Sequence, residues 1–333
     1  MGFSNLGDLH RRQVLGAIAA SLTGSMPSWA QAQGRTTRFY VGFPPGGSTD
    51  VVARLAATHA RRPAGDAAIV DNVPGAAGRL AMARVKSGPT DGSSVLASPA
   101  AMFTLYPHVY RNLAYDPFKD FIPVTAMGTV DFALVVSAAA VPAQVRTLQD
   151  LGNWLRANEK HRSFATGGAG TPMHFLGVMV AKHLGMDLTH VAYKGATPMV
   201  QDLLGGQIAV GVTVVGDSLP HIESGRLRAI AISSTQRSSF LPQVPTFGES
   251  GAPQIVAQES FGLYLPAGAS AETVNQLAAS ARAALSVPEV KTGLEKLACT
   301  PSGLAPAEFQ RFLRADFERW GPVVKSTGFS LDE

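Results

Sequence analysis

Short apolar runs rich in β-branched residues alternate with longer amphipathic stretches along most of the chain. Apolar runs of about four to eight residues between turn signals are typical of buried strands, and strands that alternate with helices are typical of parallel sheets. The sequence therefore predicts an α/β protein. The predicted strands cover residues 38–43, 68–72, 94–98, 133–137, 163–166, 188–193, 208–214, 227–233 and 262–266.

Three helix starts are marked by residues that commonly cap helices. Ser48, Thr49 and Asp50 follow two glycines and precede an apolar helical face. Thr171 and Thr197 each stand directly before a proline. This pattern predicts a threonine N-cap followed by proline in the first turn, where the missing N–H costs nothing.

The first 32 residues predict an export signal that does not belong to the fold. Arg11 and Arg12 precede an apolar segment over 14–23, which is too short to span a bilayer. A small-residue motif ends at Ala32, where we expect cleavage. The arginine pair resembles a twin-arginine signal, and an ordinary Sec signal with adjacent arginines fits equally well. Either route predicts a periplasmic protein.

Composition and charge then exclude several classes of protein. Hydrophobic residues make up 46% of the 333 residues and charged residues 16%, which excludes a disordered chain. The net charge of +4 is mild and forms no basic stripe, so no nucleic-acid partner is expected. The single cysteine, Cys299, excludes an intramolecular disulfide and a cysteine metal cluster.

Motifs for catalysis are missing from the sequence. It contains no G-x-S-x-G nucleophile elbow, no P-loop and no H-E-x-x-H zinc motif. The eight histidines lack ligand spacing, and we interpret His174 and His190 as structural. We therefore predict that the protein is not an enzyme and uses no cofactor or metal. An exported α/β hydrolase is the alternative, which a turnover assay on simple esters would detect.

Two glycine-rich loops, 44–50 and 165–171, each follow a predicted strand and precede a predicted helix. The unpaired N–H groups and the dipole at a helix N-terminus attract anions, and glycine lets a ligand approach the backbone. Threonine and serine side chains in both loops add hydroxyl groups. Two such loops could hold the two ends of one small carboxylate. The alternative is that both are ordinary capped turns.

A series of motifs follows in order through nearly the whole chain after residue 42. They are FPPGGSTDVVAR over 43–54, DNVPGAAG over 71–78, DG over 91–92, NLAYDPFKDF over 112–121, GTPMH over 170–174, VAYKGA over 191–196, DLLGGQ over 202–207, VPT over 244–246, FGL over 261–263 and PAG over 266–268. Together they resemble the Bug-type extracytoplasmic solute receptors of tripartite tricarboxylate transporters.

This resemblance implies a type II periplasmic-binding-protein fold, in which two α/β domains close on a ligand cleft like a Venus flytrap. It places domain 1 at 35–136 plus 260–333 and domain 2 at 137–259. It also implies a monomeric receptor that captures a small carboxylate with backbone amides, hydroxyls and water. The expected partner is a two-subunit integral membrane permease. A ligand-sensing co-receptor for a membrane signalling protein is the alternative.

The predicted ligand-binding residues come from the two loops and from positions that the resemblance implies. They are Phe43, Gly47, Ser48, Thr49, Ser98, Thr166, Gly167, Gly170, Thr171, Tyr193, Gly195 and Thr213. Asp50 is predicted to cap the helix near the site, because a carboxylate would repel a carboxylate ligand.

Four stretches depart from the family pattern: Val73, 79–81, 213–215 and 258–260. We expect the last two to line the cleft, which leaves the identity of the ligand open.

Overall fold

The structure is a computed structural model that describes residues 36–62 and 67–332. The predicted export signal and its cleavage site lie outside the described residues. The strands are β1 (Thr37–Val41), β2 (Ala68–Asn72), β3 (Ser94–Pro99), β4 (Phe121–Ser137), β5 (Ser163–Thr166), β6 (Thr189–Ala192), β7 (Val210–Val214), β8 (Leu227–Ile232), β9 (Gln258–Pro266) and β10 (Cys299–Pro301).

The α-helices lie between these strands and after them. They are α1 (Ser48–His59), α2 (Arg79–Lys86), α3 (Ala101–Thr104), α4 (Tyr106–Val109), α5 (Leu148–Ala157), α6 (Pro172–Leu184), α7 (Ala196–Leu204), α8 (Val215–Glu223), α9 (Ala271–Ala284), α10 (Pro288–Glu295) and α11 (Pro306–Thr327). Among the described helices, none is long and apolar enough to cross a membrane.

The strands form one mixed sheet in the order β2-β1-β3-β9-β4-β7-β5-β6, and β8 and β10 also pair with β4. β1 lies parallel to β2 and β3, and β5 lies parallel to β6 and β7. These parallel groups confirm the prediction from the alternating pattern. β9 and β4 run antiparallel to their neighbours and join the two groups. The predicted domain boundaries at 136/137 and 259/260 stay a prediction.

β4 is the longest strand and pairs with both parts of the sheet. Its first part, up to Asp131, pairs with β9, whereas 132–137 pair with β7 and β8. The sequence pattern predicted only its last five residues. The earlier part contains Pro123 and Gly128, which are disfavoured inside strands. The register with β9 shifts beside each of them, so that the strand continues through two irregularities.

Helix α6 lies unusually close to β5. A Cβ atom on Gly177 would be only 2.1 Å from Cε2 of Phe164, a side chain that is fully buried. On its other side α6 contacts α11, where the ring centroids of Phe175 and Trp320 are 6.2 Å apart. Because α6 is fixed from both sides, the position of its N-terminus is fixed as well.

Two of the three predicted helix starts are displaced by a residue or more. Thr171 is confirmed as the N-cap of α6, since its Oγ1 accepts a hydrogen bond of 3.3 Å from the N–H of His174. By contrast, α1 begins at Ser48 after the N-cap Gly47, and α7 begins at Ala196 after the N-cap Gly195. Gly195 has a φ of +106°, which glycine adopts far more readily than other residues, so the chain turns there before Thr197.

Candidate ligand-binding cavity

A cavity of about 580 Å³ opens where the loop before α1 faces the N-termini of α6 and α7. The ends of β3 and β7, the middle of β4 and the start of β9 complete its walls. Its polar side chains are Ser48, Thr49, Tyr106, Thr171, Thr197 and Glu259, and its aromatic walls are Phe43, Phe132 and Phe261.

Four helices have their N-caps in the wall of this cavity. The N-caps of α1, α6, α7 and α8, which are Gly47, Thr171, Gly195 and Val214, all belong to the lining. The first N–H groups of a helix lack intrahelical partners, and the helix dipole makes this end partly positive. Among the described residues, no lysine, arginine or histidine lines the cavity. Backbone groups and hydroxyls would therefore bind an anion here.

Several hydroxyl groups of the lining are available to a ligand. Within the described part of the chain, the side chains of Ser48, Thr49, Thr197 and Tyr106 form no hydrogen bond. Thr171 differs, because its hydroxyl donates to the carbonyl of Gly168 at 2.9 Å while it caps α6. It can thus contact a ligand only as an acceptor or through its neighbouring N–H groups.

A second cavity of about the same volume lies between the C-terminal end of α1 and α9. Arg61, Gln276 and Ser280 are among its lining residues, only one helix N-cap, Val287 of α10, belongs to it, and it contains none of the predicted binding residues. We therefore assign the ligand site to the cavity at the four helix N-termini.

Asp50 fixes the loop that carries the N-terminus of α1. Its side chain is only 2% exposed, and its Oδ2 accepts hydrogen bonds from the N–H of Gly46 at 2.9 Å and from Nε of Arg54 at 2.8 Å. Oδ1 accepts from Arg54 at 3.0 Å and from Nδ2 of Asn72 at 2.9 Å, and the same Nδ2 donates to the carbonyl of Phe43 at 3.0 Å.

These contacts determine the charge and the role of Asp50. Burial raises the pKa of Asp50, but the hydrogen bonds from Arg54, Gly46 and Asn72 outweigh it and hold the pKa below its ordinary value. Asp50 is absent from the cavity lining and lies in the first turn of α1, after the N-cap Gly47. Its carboxylate joins the loop, the helix and β2.

Two histidines contact the glycine-rich loop 165–171 and hold it in position. Nδ1 of His174 accepts a hydrogen bond from the N–H of Gly170 at 3.3 Å, and Nε2 of His190 lies 2.7 Å from the hydroxyl of Thr166. The two rings stack with centroids 4.0 Å apart. Burial, together with the charge of His190, lowers the pKa of His174 to about 4, so this ring is neutral at ordinary pH and can accept. Both histidines hold the loop in place.

The structure brings half of the predicted binding residues to the cavity. Those in the lining are Phe43, Gly47, Ser48, Thr49, Thr171 and Gly195. Those outside the lining are Ser98, Thr166, Gly167, Gly170, Tyr193 and Thr213.

The residues outside the lining have protein partners of their own. Ser98 and Thr213 are buried, and their hydroxyls donate to the carbonyls of the residues that follow them, at 3.1 and 3.2 Å. The hydroxyl of Tyr193 donates to Asp202 at 2.7 Å. A ligand contact of these residues stays a prediction.

Other lining residues were not among the predicted binding set. Thr197 was assigned only to a helix start, although its Thr-Pro pair signalled an N-terminus like that of Thr171. Val214 and Glu259 belong to the two departures from the family pattern that were expected to line the cleft, and both do. Tyr106 and Phe132 carried no recognisable signal in the sequence.

Comparison with known structures shows the same architecture in solute-binding proteins. The periplasmic binding protein BugD superposes with a TM-score of 0.75 at 28% identity, covering 89% of this chain and 98% of that one. MatC from Rhodopseudomonas palustris, with bound malate, gives 0.73 at 27% over 87% and 99%. An R. palustris protein with adipate gives 0.77 at 28% over 91% and 99%. The predicted periplasmic-binding-protein fold is thereby confirmed.

The family and the solved relatives of this chain are solute-binding receptors rather than enzymes. Residues 52–329 match the family described as "Tripartite tricarboxylate transporter family receptor". BugT of Bordetella pertussis is 31% identical over 298 residues, which are 89% of this chain and 90% of BugT. The chain belongs to this receptor family, as the motifs in its sequence predicted.

Proposed function

We propose that this protein captures a small carboxylate in the periplasm and delivers it to a two-subunit membrane permease. The observation that carries the proposal is the presence of four helix N-termini at one cavity where, among the described residues, four hydroxyls form no hydrogen bond and no cationic side chain belongs to the lining. Such a site binds anions through oriented N–H groups. Malate and adipate in two relatives support the ligand class, and the family description supports the permease.

A carboxylate ligand should raise the thermal stability of the receptor, whereas the matching neutral amide should not. A ligand that binds only the folded state stabilises it by about 2.7 kcal/mol at 100 times Kd. The measurement is a thermal-shift screen of small mono- and dicarboxylates, each tested beside its amide. Equal shifts from acids and amides would contradict an anion site.

Small-angle scattering should detect closure of the two predicted domains on the same ligand. If these domains close on the carboxylate, the radius of gyration falls on binding, because the ligand favours the state in which it has more contacts. Uptake of the identified carboxylate by cells that contain the receptor and its permease, compared with cells that lack only the receptor, tests delivery.

Substitutions at Thr197 and Thr171 should distinguish a residue that binds the ligand from one that caps a helix. The Thr197 hydroxyl is unpartnered, so Thr197→Val should weaken carboxylate binding about tenfold, which corresponds to one hydrogen bond to a charged group, and leave the melting temperature nearly unchanged. Thr171→Val removes the N-cap of α6 and should lower stability by about 1 kcal/mol. Calorimetric titration and urea unfolding of both variants give the two quantities. Unchanged affinity in Thr197→Val would remove this hydroxyl from the site.

A further inference from the structure

Glu259 gives the cavity a chemical character that the four helix N-termini do not have. It stands near the start of β9, and no other acidic side chain belongs to the lining among the described residues. The helix N-termini attract negative charge, whereas a carboxylate attracts positive charge. The lining thus contains two kinds of polar group with opposite preference for charge.

The contacts of Glu259 leave half of its carboxylate available. Oε1 accepts hydrogen bonds from the N–H of Ala101 at 3.2 Å and from the N–H of Ser260 at 3.1 Å. The N–H of Ala100 also lowers the pKa of Glu259, although it donates to the carbonyl of Ser260 at 2.7 Å. Among the described residues, no side chain donates to this carboxylate, so Oε2 can accept from a donor that enters the cavity.

Among the described residues, no lysine or arginine pairs with this carboxylate. Arg319 on α11 is paired with Asp316, and its guanidinium also donates to the carbonyl of Val256 at 2.5 Å. Burial and the negative charge of Asp316 together raise the pKa of Glu259 to about 8, against the opposing effect of the backbone N–H groups. Ionisation in the empty cavity is therefore unfavourable, and a cation beside Oε2 would reverse that.

We propose that the ligand is an amino carboxylate, whose carboxylate binds at the helix N-termini and whose protonated nitrogen donates to Glu259. This inference rests on the proposed function, because it assigns the second polar group of the ligand bound in the same cavity. The aromatic walls of Phe43, Phe132 and Phe261 suit an apolar segment between the two charges.

Other second groups fit beside Glu259 less well. A second carboxylate could bind only beside the protonated form of Glu259, because two ionised carboxylates there would repel each other. Protonated Glu259 is neutral and offers no positive charge to offset the desolvation of a second carboxylate. A ligand hydroxyl can donate to Oε2, but a neutral donor forms a weaker bond than a charged one. An ammonium group supplies a positive charge for ionised Glu259 and a hydrogen-bond donor for its Oε2.

Matched sets of probes test the proposal on the purified protein. One set is hexanoate, 2-hydroxyhexanoate, 2-aminohexanoate, 6-hydroxyhexanoate, 6-aminohexanoate and adipate; the other is succinate, malate and aspartate. In at least one set the amino acid should bind about tenfold more tightly than its hydroxy, unsubstituted and diacid counterparts in titration calorimetry. This comparison uses the unmodified protein, so that it does not depend on how a variant folds.

The variant Glu259→Gln tests whether this residue causes the preference for the amino acid. Glutamine retains an oxygen for the N–H groups of Ala101 and Ser260 but lacks the charge. The preference for the amino acid should fall to within twofold in Glu259→Gln and persist in Glu272→Gln, an equally conservative change on the exposed face of α9.

The outcomes separate this proposal from the proposed function. If nitrogen-free acids bind best in both sets, or if Glu259→Gln keeps the preference, the assignment to Glu259 is overturned and the carboxylate receptor stands. If no acid of either kind binds the unmodified protein, both fail.

Discussion

Replacing Asp50 by alanine should remove measurable carboxylate binding at probe concentrations that saturate the unmodified protein, and should lower the free energy of unfolding by about 2–4 kcal/mol. Asp50 accepts four hydrogen bonds from three residues, and hydrogen bonds to charged groups contribute roughly 1.5–3 kcal/mol each, though not additively. Without the carboxylate, the N–H of Gly46 loses its partner and the loop before α1 is no longer held over the cavity. Titration calorimetry and urea unfolding measure both effects.

Two variants control this experiment. Asp50→Asn keeps one acceptor oxygen. Its carboxylate affinity and its free energy of unfolding should lie between those of the unmodified protein and those of Asp50→Ala. Glu249→Ala breaks the exposed ion pair with Arg237, at a site where both side chains are about 45% exposed, and should cost far less because water screens such pairs. If Asp50→Ala bound as tightly as the unmodified protein, the loop would not need its carboxylate anchor.

Gly177→Ala should destabilise the protein by about 3 kcal/mol, although helix propensity alone favours alanine by about 1 kcal/mol. The added Cβ would lie 2.1 Å from the ring of Phe164, which is fully buried and stacks on His190 with centroids 4.9 Å apart. Either α6 or the ring must shift, and a shift of α6 displaces the N-cap Thr171. Carboxylate affinity should therefore fall together with stability.

Gly205→Ala is the matched control for this substitution. Gly205 ends α7 with a φ of −79°, and its added Cβ would approach no atom more closely than 3.4 Å. Thermal unfolding should show little change for Gly205→Ala and a clearly lower midpoint for Gly177→Ala. Similar midpoints for the two variants would mean that the close packing of α6 on β5 relaxes at little cost.

Local patterns in the sequence predicted the strands better than the ends of the helices. β2 and β5 have the predicted bounds, because each has apolar residues at its centre, such as Val70 and Phe164, and a proline or glycine soon after its end. β10 was missed, since its three residues form a strand only by pairing with β4. The start of α1 was placed too late because serine and threonine cap helices well, whereas here the turn at Gly46 and Gly47 and the contacts of Asp50 determine where the helix begins.

The candidate site was only partly predictable for a related physical reason. Glycine and threonine motifs indicated the helix N-termini, which depend on residues close together in the chain. Alternation of apolar and polar residues could not predict the side of the sheet on which the side chains of Ser98 and Thr213 lie, because both faces of a covered sheet are apolar. Tyr106 and Phe132 reach the cavity only through tertiary packing.

The place of β9 between β3 and β4 has a consequence for the order of folding. More than 150 residues separate β3 from β9, one of the two strands that it pairs with, and β9 pairs with β4 on its other edge. Loop closure over such distances is entropically costly and makes folding slow. The first part of the sheet cannot be completed until residue 266 is available. A chain interrupted before β9 therefore leaves one edge of β3 and the first half of β4 unpaired. It also lacks the part of the cavity wall to which Glu259 belongs.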